Sequence, residues 1–317
     1  MPESPLPHIA IVGPTAVGKT ALAVELCQRF GGEVINADSR QVYKNMDIGT
    51  AKPTAAELER APHHLIDLLE PFEQFGLGSF LSLAETAIHD ITRRGKLPVV
   101  AGGTGQYVWA LLEGKSVPEA PPDPEFRATL EAEAEADGGA QALHERLRQI
   151  DPDRADALDA RNVRRVIRAL EIYHVTRQKP SETGNSATKT SNYLALGLTM
   201  DRKTLYRRID DRVDAMMDAG FLSEVERLAE AGYPTGKGAL ASPGYRELGQ
   251  YLMGEFSLAE AISRTKTQTH RLARRQYTWF KLSDPRIIWL DNSGLGIVER
   301  STELVRAYLS EPSPVVQ

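Results

Sequence analysis

Short apolar, β-branched runs bounded by turn residues recur along the chain at 8–12 (HIAIV), 34–37 (VINA), 97–101 (LPVVA), 194–198 (LALGL) and 287–290 (IIWL). Such runs predict buried strands, and the segments between them carry the apolar spacing of helices. After the first run, Ala21, Leu22, Val24, Leu26, Cys27 and Phe30 fall on one helical face, and Gly31-Gly32 follows as a stop. Strand and helix in alternation predict an α/β fold with a parallel sheet flanked by helices.

The alternation fails between about 114 and 180. A Pro-rich lead-in, "VPEAPPDPEF", is followed by helical pattern without a convincing strand. The expected organisation is therefore a core in two parts, 1–113 and 186–317, interrupted by a helical insertion over 114–185. Two further helices, roughly 202–231 and 258–282, are expected on either side of "GYPTGKGALASPGYREL". No internal repeat is evident.

Composition narrows the class. The 317 residues, 41% apolar and 26% charged, are those of a globular protein, with Pro-rich ends over the first seven residues and Glu311–Pro314. No secretory pattern is present, and no stretch approaches the roughly 20 apolar residues of a spanning helix, so the cytoplasm is the expected compartment and no membrane partner is expected. Cys27, alone of its type, cannot form an internal disulfide or a metal cluster. The seven histidines lack metal-ligand spacing; His63 and His64, being adjacent, point apart.

A net charge of −5 argues against a uniformly basic nucleic-acid-coating protein, but the distribution is uneven. From Arg264 to Lys281 there are six basic residues and no acid, and from Arg161 to Lys179 six against only Glu171. A basic groove on one side is compatible with the total.

The first strand runs into "GPTAVGKT", Gly13 to Thr20, with the Gly-x4-Gly-Lys-Thr spacing of a phosphate loop. Backbone N–H groups and a helix N-terminus bind an anion there, Lys19 adds a point charge and Thr20 would ligate Mg²⁺. A phosphate-loop nucleotidase usually also carries an acid at the end of a core strand, yet 97–101 runs into "GGTGQY" without one. The nearest candidate is Asp38 in "INADSRQVY", which is either a site residue or a turn aspartate. The glycines of "GGTG" serve a tight turn or a close backbone approach, with the Thr104 hydroxyl available to donate.

Three arginine-rich helical patterns follow. "RNVRRVIRALEIY" opposes Arg161, Arg164, Arg165 and Arg168 to an apolar stripe, as a solvated face or an RNA-binding one. In "LYRRIDDRVDAMMDAGFLSEV", Arg207, Arg208 and Arg212 are possible phosphate clamps, or ordinary surface residues paired with neighbouring aspartates. "RTKTQTHRLARRQYTWFK" sets Arg264, Arg271, Arg274 and Arg275 beside Tyr277, Trp279 and Phe280, which suits phosphate contacts with base stacking, or a core aromatic cluster.

Taken in order, "GPTAVGKT", "NADSRQVY", "GTAKP", "HHLID", "GGTGQY", "RVIRALEIY", "LYRRIDDRV", "GYREL" and "RRQYTWF" closely resemble the tRNA dimethylallyltransferase family over roughly residues 8 to 290. The resemblance implies transfer of a dimethylallyl group from dimethylallyl diphosphate to the exocyclic amine of the adenosine 3′ of the anticodon, releasing diphosphate. It makes Asp38 the general base. Lys19, Thr104 and Arg208 (with Arg207 as the alternative) would bind the diphosphate within the loop Gly13, Pro14, Thr15, Ala16, Val17, Gly18, Lys19 and Thr20, with Mg²⁺ near Thr20. It also implies tRNA anticodon stem-loop contacts from Asp38, Ser39, Arg40 and Gln41; from Thr104 and Arg127 at the channel where base and donor meet; and from Asn162, Val163, Arg164, Arg165 and Val166. The remaining implied contacts are Ser242, Pro243, Gly244, Tyr245, Arg246 and Glu247, and Arg274, Arg275, Gln276, Tyr277, Thr278, Trp279, Phe280 and Lys281. A monomer is expected, and no zinc.

Two positions depart from the family pattern. Ser242-Pro243 replaces a small and an aliphatic residue, and Arg177 stands where glycine is usual, so Arg177 must adopt a conformation glycine takes easily. Rival readings of the same residues are a small-molecule kinase with the insertion as a lid, an enzyme prenylating free adenylate, and a non-enzymatic RNA-binding module that senses nucleotide.

Overall fold

The computed structural model describes residues 7–115, 117, 120–182 and 192–310. The Pro-rich ends, apart from Pro7, and part of the lead-in to the insertion lie outside the described residues. The chain divides into two compact units, one formed by Met1–Leu112 and Ser191–Gln317 and the other by Glu113–Thr190, against an expected insertion of 114–185.

The larger unit opens with β1 (His8–Val12), α1 (Lys19–Phe30), β2 (Gly32–Asn36), α2 (Ala55–Arg60), β3 (His63–His64), α3 (Leu77–Arg93), β4 (Leu97–Ala101) and α4 (Gly105–Leu112). The smaller unit holds α5 (Pro124–Glu135), α6 (Gly139–Ile150), α7 (Pro152–Asp156) and α8 (Val163–Thr176). The larger unit resumes with β5 (Tyr193–Thr199), α9 (Arg202–Asp218), α10 (Phe221–Glu230), α11 (Tyr245–Leu252), α12 (Leu258–Trp279), β6 (Ile287–Asp291) and α13 (Ile297–Ser310).

Six parallel strands form one sheet in the order β3-β2-β4-β1-β5-β6. Ile9 of β1 registers with Val99 on one side and Leu194 on the other. All five residues of β1, β2 and β4 are buried, as befits parallel strands covered on both faces. The chain leaves β1 toward β2 in one direction while β5 and β6 build in the other. Loops at the carboxyl ends of β1, β2 and β4 therefore meet at a switch of strand order, the usual place for a ligand in such a sheet.

Sequence pattern placed β1 and β4 at their observed bounds. It missed β3, because two histidines carry no alternation; only the pairing of His63 with Val34 and of His64 with Ile35 defines it. The single helix expected over 202–231 is two, since Gly220 takes φ 95° and turns the chain between α9 and α10.

In the smaller unit Leu130, Leu143, Leu147, Val166, Ile167 and Leu170 form the core. Glu171 is fully buried there and accepts from both Arg127 (2.8 and 2.9 Å) and Arg168 (2.6 Å), and from the Asp123 backbone N–H (2.9 Å). These bonds hold its carboxyl below the usual range against the opposing effect of burial. Arg177 ends α8 in the left-handed conformation, φ 57° and ψ 16°, while its N–H still bonds the Tyr173 carbonyl at 2.8 Å.

Candidate active site

The loop after β1 is shaped by residues that most side chains would not permit. Gly13 has φ 137°, and a Cβ there would meet the Leu198 carbonyl oxygen at 2.4 Å. Ala16 is left-handed too, at φ 63°, a strained setting for a residue with a Cβ. Two distant side chains hold the loop in place. Asn292, just after β6, donates to the Val17 carbonyl at 2.7 Å. Gln276 of α12 accepts from the Thr15 N–H at 2.8 Å and donates to the Gly103 carbonyl at 3.0 Å. The Thr15 N–H is thus committed to Gln276, and the anion-facing groups are those nearer Gly18 and the start of α1.

A cavity of about 480 Å³ opens beside this loop, lined by Lys19, Thr20, Asp38, Arg208 and Arg212 among others. Lys19 donates to the Pro14 carbonyl at 2.8 Å, folded back on its own loop. Desolvation brings its pKa down to about 8, with Asp38 working against the fall and Arg212 adding to it. Glu57 and Asp211 bring further carboxylates to the wall.

Asp38 is the turn aspartate its sequence context allowed, and it also lines the cavity. One carboxylate oxygen accepts from the Arg40 N–H at 2.9 Å, an Asx turn, while Asn36 brackets its backbone from both sides. The other oxygen has no hydrogen bond to a described residue. Beside it, Thr104 Oγ accepts from the Ser39 N–H at 3.1 Å, which leaves the hydroxyl proton to donate elsewhere. The Thr104 N–H reaches the Ala37 carbonyl at 3.2 Å, so the loops after β2 and β4 are one assembly. A second cavity of about 100 Å³ shares Asp38, Thr15, Ala16, Thr50 and Arg212 with the first and is otherwise lined chiefly by apolar groups such as Val213, Met216 and Phe221.

The segment Thr50 to Thr54 lines the large cavity, and its approach is fixed by a carboxylate that sequence reasoning missed. Glu224 of α10, 2% exposed, accepts from the N–H groups of Asp47, Ile48 and Gly49 at 2.9, 2.8 and 3.1 Å. It also accepts from the Tyr245 hydroxyl at 2.6 Å, and burial beside that carboxylate pushes the tyrosine pKa far up. The sequence signal was a glutamate on the apolar stripe Phe221, Val225, Leu228.

Several residues grouped by sequence part company here. Arg208 and Arg212 line the cavity, whereas Arg207 does not. On α12 and just after it, Arg274, Arg275, Thr278, Trp279 and Lys281 are exposed and Tyr277 is half-buried, its hydroxyl 2.9 Å from that of Thr199. Gln276 and Phe280 turn inward. Around α11, Tyr245 and Glu247 are buried, with Glu247 capping the helix through the Gly244 N–H at 2.8 Å and anchoring Arg246. Ser242 is buried and bonded to the Ala239 carbonyl, and it lines the small cavity with Pro243. In the smaller unit Asn162, Arg164 and Arg165 are exposed, Val163 is half-buried and Val166 is fully buried. Side chains of Val166, Ser242, Tyr245, Glu247, Gln276 and Phe280 are therefore buried, and among the expected contact residues it is their neighbours that are exposed.

The chain matches the family model described as IPP transferase over residues 41–283, and that of Isopentenyl transferase over residues 8–67. It is 48% identical over 307 residues to a tRNA dimethylallyltransferase of Thermomicrobium roseum, covering 97% of this chain and 93% of that one. The chain belongs to the tRNA dimethylallyltransferase family. A family member from Roseiflexus castenholzii is 47% identical over 301 residues, covering 95% of this chain and 98% of its own. Among solved structures, the tRNA isopentenylpyrophosphate transferase of Bacillus halodurans superposes with a TM-score of 0.71 at 40% identity, covering 96% of this chain and 97% of the other. A eukaryotic dimethylallyltransferase acting on tRNA gives 0.83 at 33% identity, covering 97% of this chain and 81% of its own. The tRNA dimethylallyltransferase fold is thus the α/β arrangement expected from the strand pattern. No helix among the described residues is long and apolar enough to cross a membrane.

Proposed function

We propose that the chain transfers a dimethylallyl group from dimethylallyl diphosphate to the exocyclic amine of the adenosine 3′ of the anticodon in tRNA, releasing diphosphate. The observation that carries this reading is the meeting, in one cavity wall, of a phosphate loop with Asp38, whose outer oxygen is unbonded. A phosphate-loop nucleotidase usually carries an acid at the end of a core strand to hold Mg²⁺ at the γ-phosphate, and Leu97–Ala101 runs instead into Gly102-Gly103. A loop beside a free carboxylate and a small apolar cavity suits a diphosphate leaving group, an allyl chain and an amine that must lose a proton.

In this mechanism Lys19 and Arg208 hold the diphosphate, and the Thr104 hydroxyl donates to it. Asp38 accepts the proton of the amine as the new C–N bond forms. The adenosine reaches the cavity only out of its stack, which costs about a few kcal/mol and least for an already single-stranded base. Exposed Arg164 and Arg165 of α8 and Arg274 and Arg275 of α12 supply phosphate contacts, and Trp279 a stacking surface.

Mg²⁺ fits the donor set. No three His, Cys, Asp or Glu among the described residues could hold a metal by themselves, but the cavity offers the Thr20 hydroxyl with carboxylates such as Asp211 on its wall, hard oxygens that suit a cation shared with substrate phosphates. When bound, Mg²⁺ would neutralise charge on the leaving diphosphate. A monomer acting on tRNA in the cytoplasm completes the proposal.

The test is incubation of the protein with unmodified tRNA, Mg²⁺ and dimethylallyl diphosphate, followed by digestion and mass detection of isopentenyladenosine. Product on tRNAs with an A-rich anticodon loop is expected. Its absence, with thermal stabilisation by ATP but not by dimethylallyl diphosphate, would return the site to a kinase.

A further inference from the structure

Helix α9 presents two guanidiniums to the large cavity, four residues apart and so on one helical face. They are not equivalent. Arg208 is exposed and lines the large cavity only; among the described residues its polar contact is to Met200 Sδ at 3.9 Å. Arg212 is set back into the wall and is, among the described residues, the one cation lining both cavities. It forms no hydrogen bond or ion pair with a described residue. Asp38 and Glu57 attract it across space, but not strongly enough to offset its desolvation, which lowers its pKa.

A half-buried arginine with its fork of N–H donors unmatched is costly unless an anion completes it. We propose that Arg212 is a second arginine of the diphosphate site, and the one that holds the oxygen leaving the allyl carbon. The proposal rests on the prenyl-transfer reading and adds a residue to it. As transfer proceeds, the bond between the allyl carbon and its diphosphate oxygen breaks and the electron pair stays on that oxygen. The amine lone pair forms the new C–N bond, and the amine proton passes to Asp38. Arg212, at the junction of the two cavities and facing Asp38, meets the oxygen where negative charge grows, whereas Arg208 meets the outer phosphate.

Calorimetric titration with inorganic diphosphate, together with steady-state kinetics on tRNA and dimethylallyl diphosphate, tests this with Arg212→Gln and Arg212→Lys. Arg212→Gln is expected to weaken diphosphate binding by about tenfold or more and to lower kcat by about 10², with tRNA affinity within about twofold of wild type. Arg212→Lys should recover part of the diphosphate affinity while kcat stays low, since one ammonium cannot reproduce a bidentate fork. Because Arg212 has no structural partner, Arg212→Gln should melt no lower than wild type. The proposal is overturned if Arg212→Gln binds diphosphate and turns over like wild type, if its loss appears only in tRNA affinity, or if it fails to fold while Arg212→Lys behaves as wild type. If wild-type protein makes no isopentenyladenosine yet loses diphosphate affinity on Arg212→Gln, the transfer reading fails and the anion site stands.

Discussion

The arginines of the cavity wall and those gathered around Glu171 and Asp159 in the helical unit are held in opposite ways. In the helical unit Glu171 takes up Arg127 and Arg168, Arg168 also reaches the Ala120 carbonyl, and Arg161 closes on Asp159. In the cavity Arg208, Arg212 and the outer oxygen of Asp38 have no such partner among the described residues. Helix α12 shows both habits along its length: Arg264 is tied to Glu260 and stacked on Phe256, while Arg274 and Arg275 are exposed and unpaired among the described residues. The difference teaches that counting arginines does not locate a ligand surface. A paired arginine has its bonds within the fold, whereas one without a partner among the described residues keeps its donors available to a ligand.

The sharpest way to break this contrast is Asp38→Ala. Turnover should fall by about 10² or more, the size expected for losing a general base, with thermal stability and tRNA affinity nearly unchanged. Near wild-type turnover would make Asp38 only the turn residue its Arg40 bond allows. In the helical unit Arg168→Ala should do the reverse, costing about 1–3 kcal/mol in denaturant unfolding because buried Glu171 loses a partner while Arg127 remains. Unchanged stability there would mean that paired arginines are not structural after all. Arg274→Ala with Arg275→Ala should weaken tRNA binding and reduce the slope of log affinity against log salt by about 2, roughly one for each phosphate that is no longer neutralised. A constant slope would remove α12 from the RNA surface.

A smaller effect comes from Lys19. Burial lowers its pKa from 10.5 to about 8, so between those values the unfolded chain holds more protons than the folded one. This group alone therefore makes stability rise with pH across that window. Binding of diphosphate needs the ammonium form, so calorimetric affinity should decline as pH rises through about 8, and the decline should vanish in Lys19→Met. The smallest expected change is in Arg177→Gly, which relieves a left-handed side chain and should stabilise the helical unit by up to about 1 kcal/mol, net of the extra freedom glycine has when unfolded.

Much of this was legible in the sequence, for identifiable reasons. Five of the strands announced themselves as apolar runs, which parallel strands buried on both faces need and which the partly exposed edge strand β6 also carries, and Gly13 to Thr20 because few residues tolerate that loop. Arg177 announced its own strain. What stayed hidden depends on distant partners. His63-His64 becomes a strand only beside β2, and nothing local says that Gln276 reaches back 261 residues to Thr15. Glu224 left a faint trace as a carboxylate on an apolar stripe, but its purpose is set by the loop at Asp47 to Gly49. Arg207, Arg208 and Arg212 were indistinguishable as letters; the direction each takes from α9 separates them.

Gln276 carries a consequence for how this protein can vary. A Cβ at position 103 would lie 2.1 Å from Gln276 Nε2, the same nitrogen that bonds the Gly103 carbonyl. Glycine at 103 and glutamine at 276 are thus a single inherited decision written at two places. Changing either alone leaves a collision or a gap beneath the phosphate loop, so the two positions should drift together or not at all.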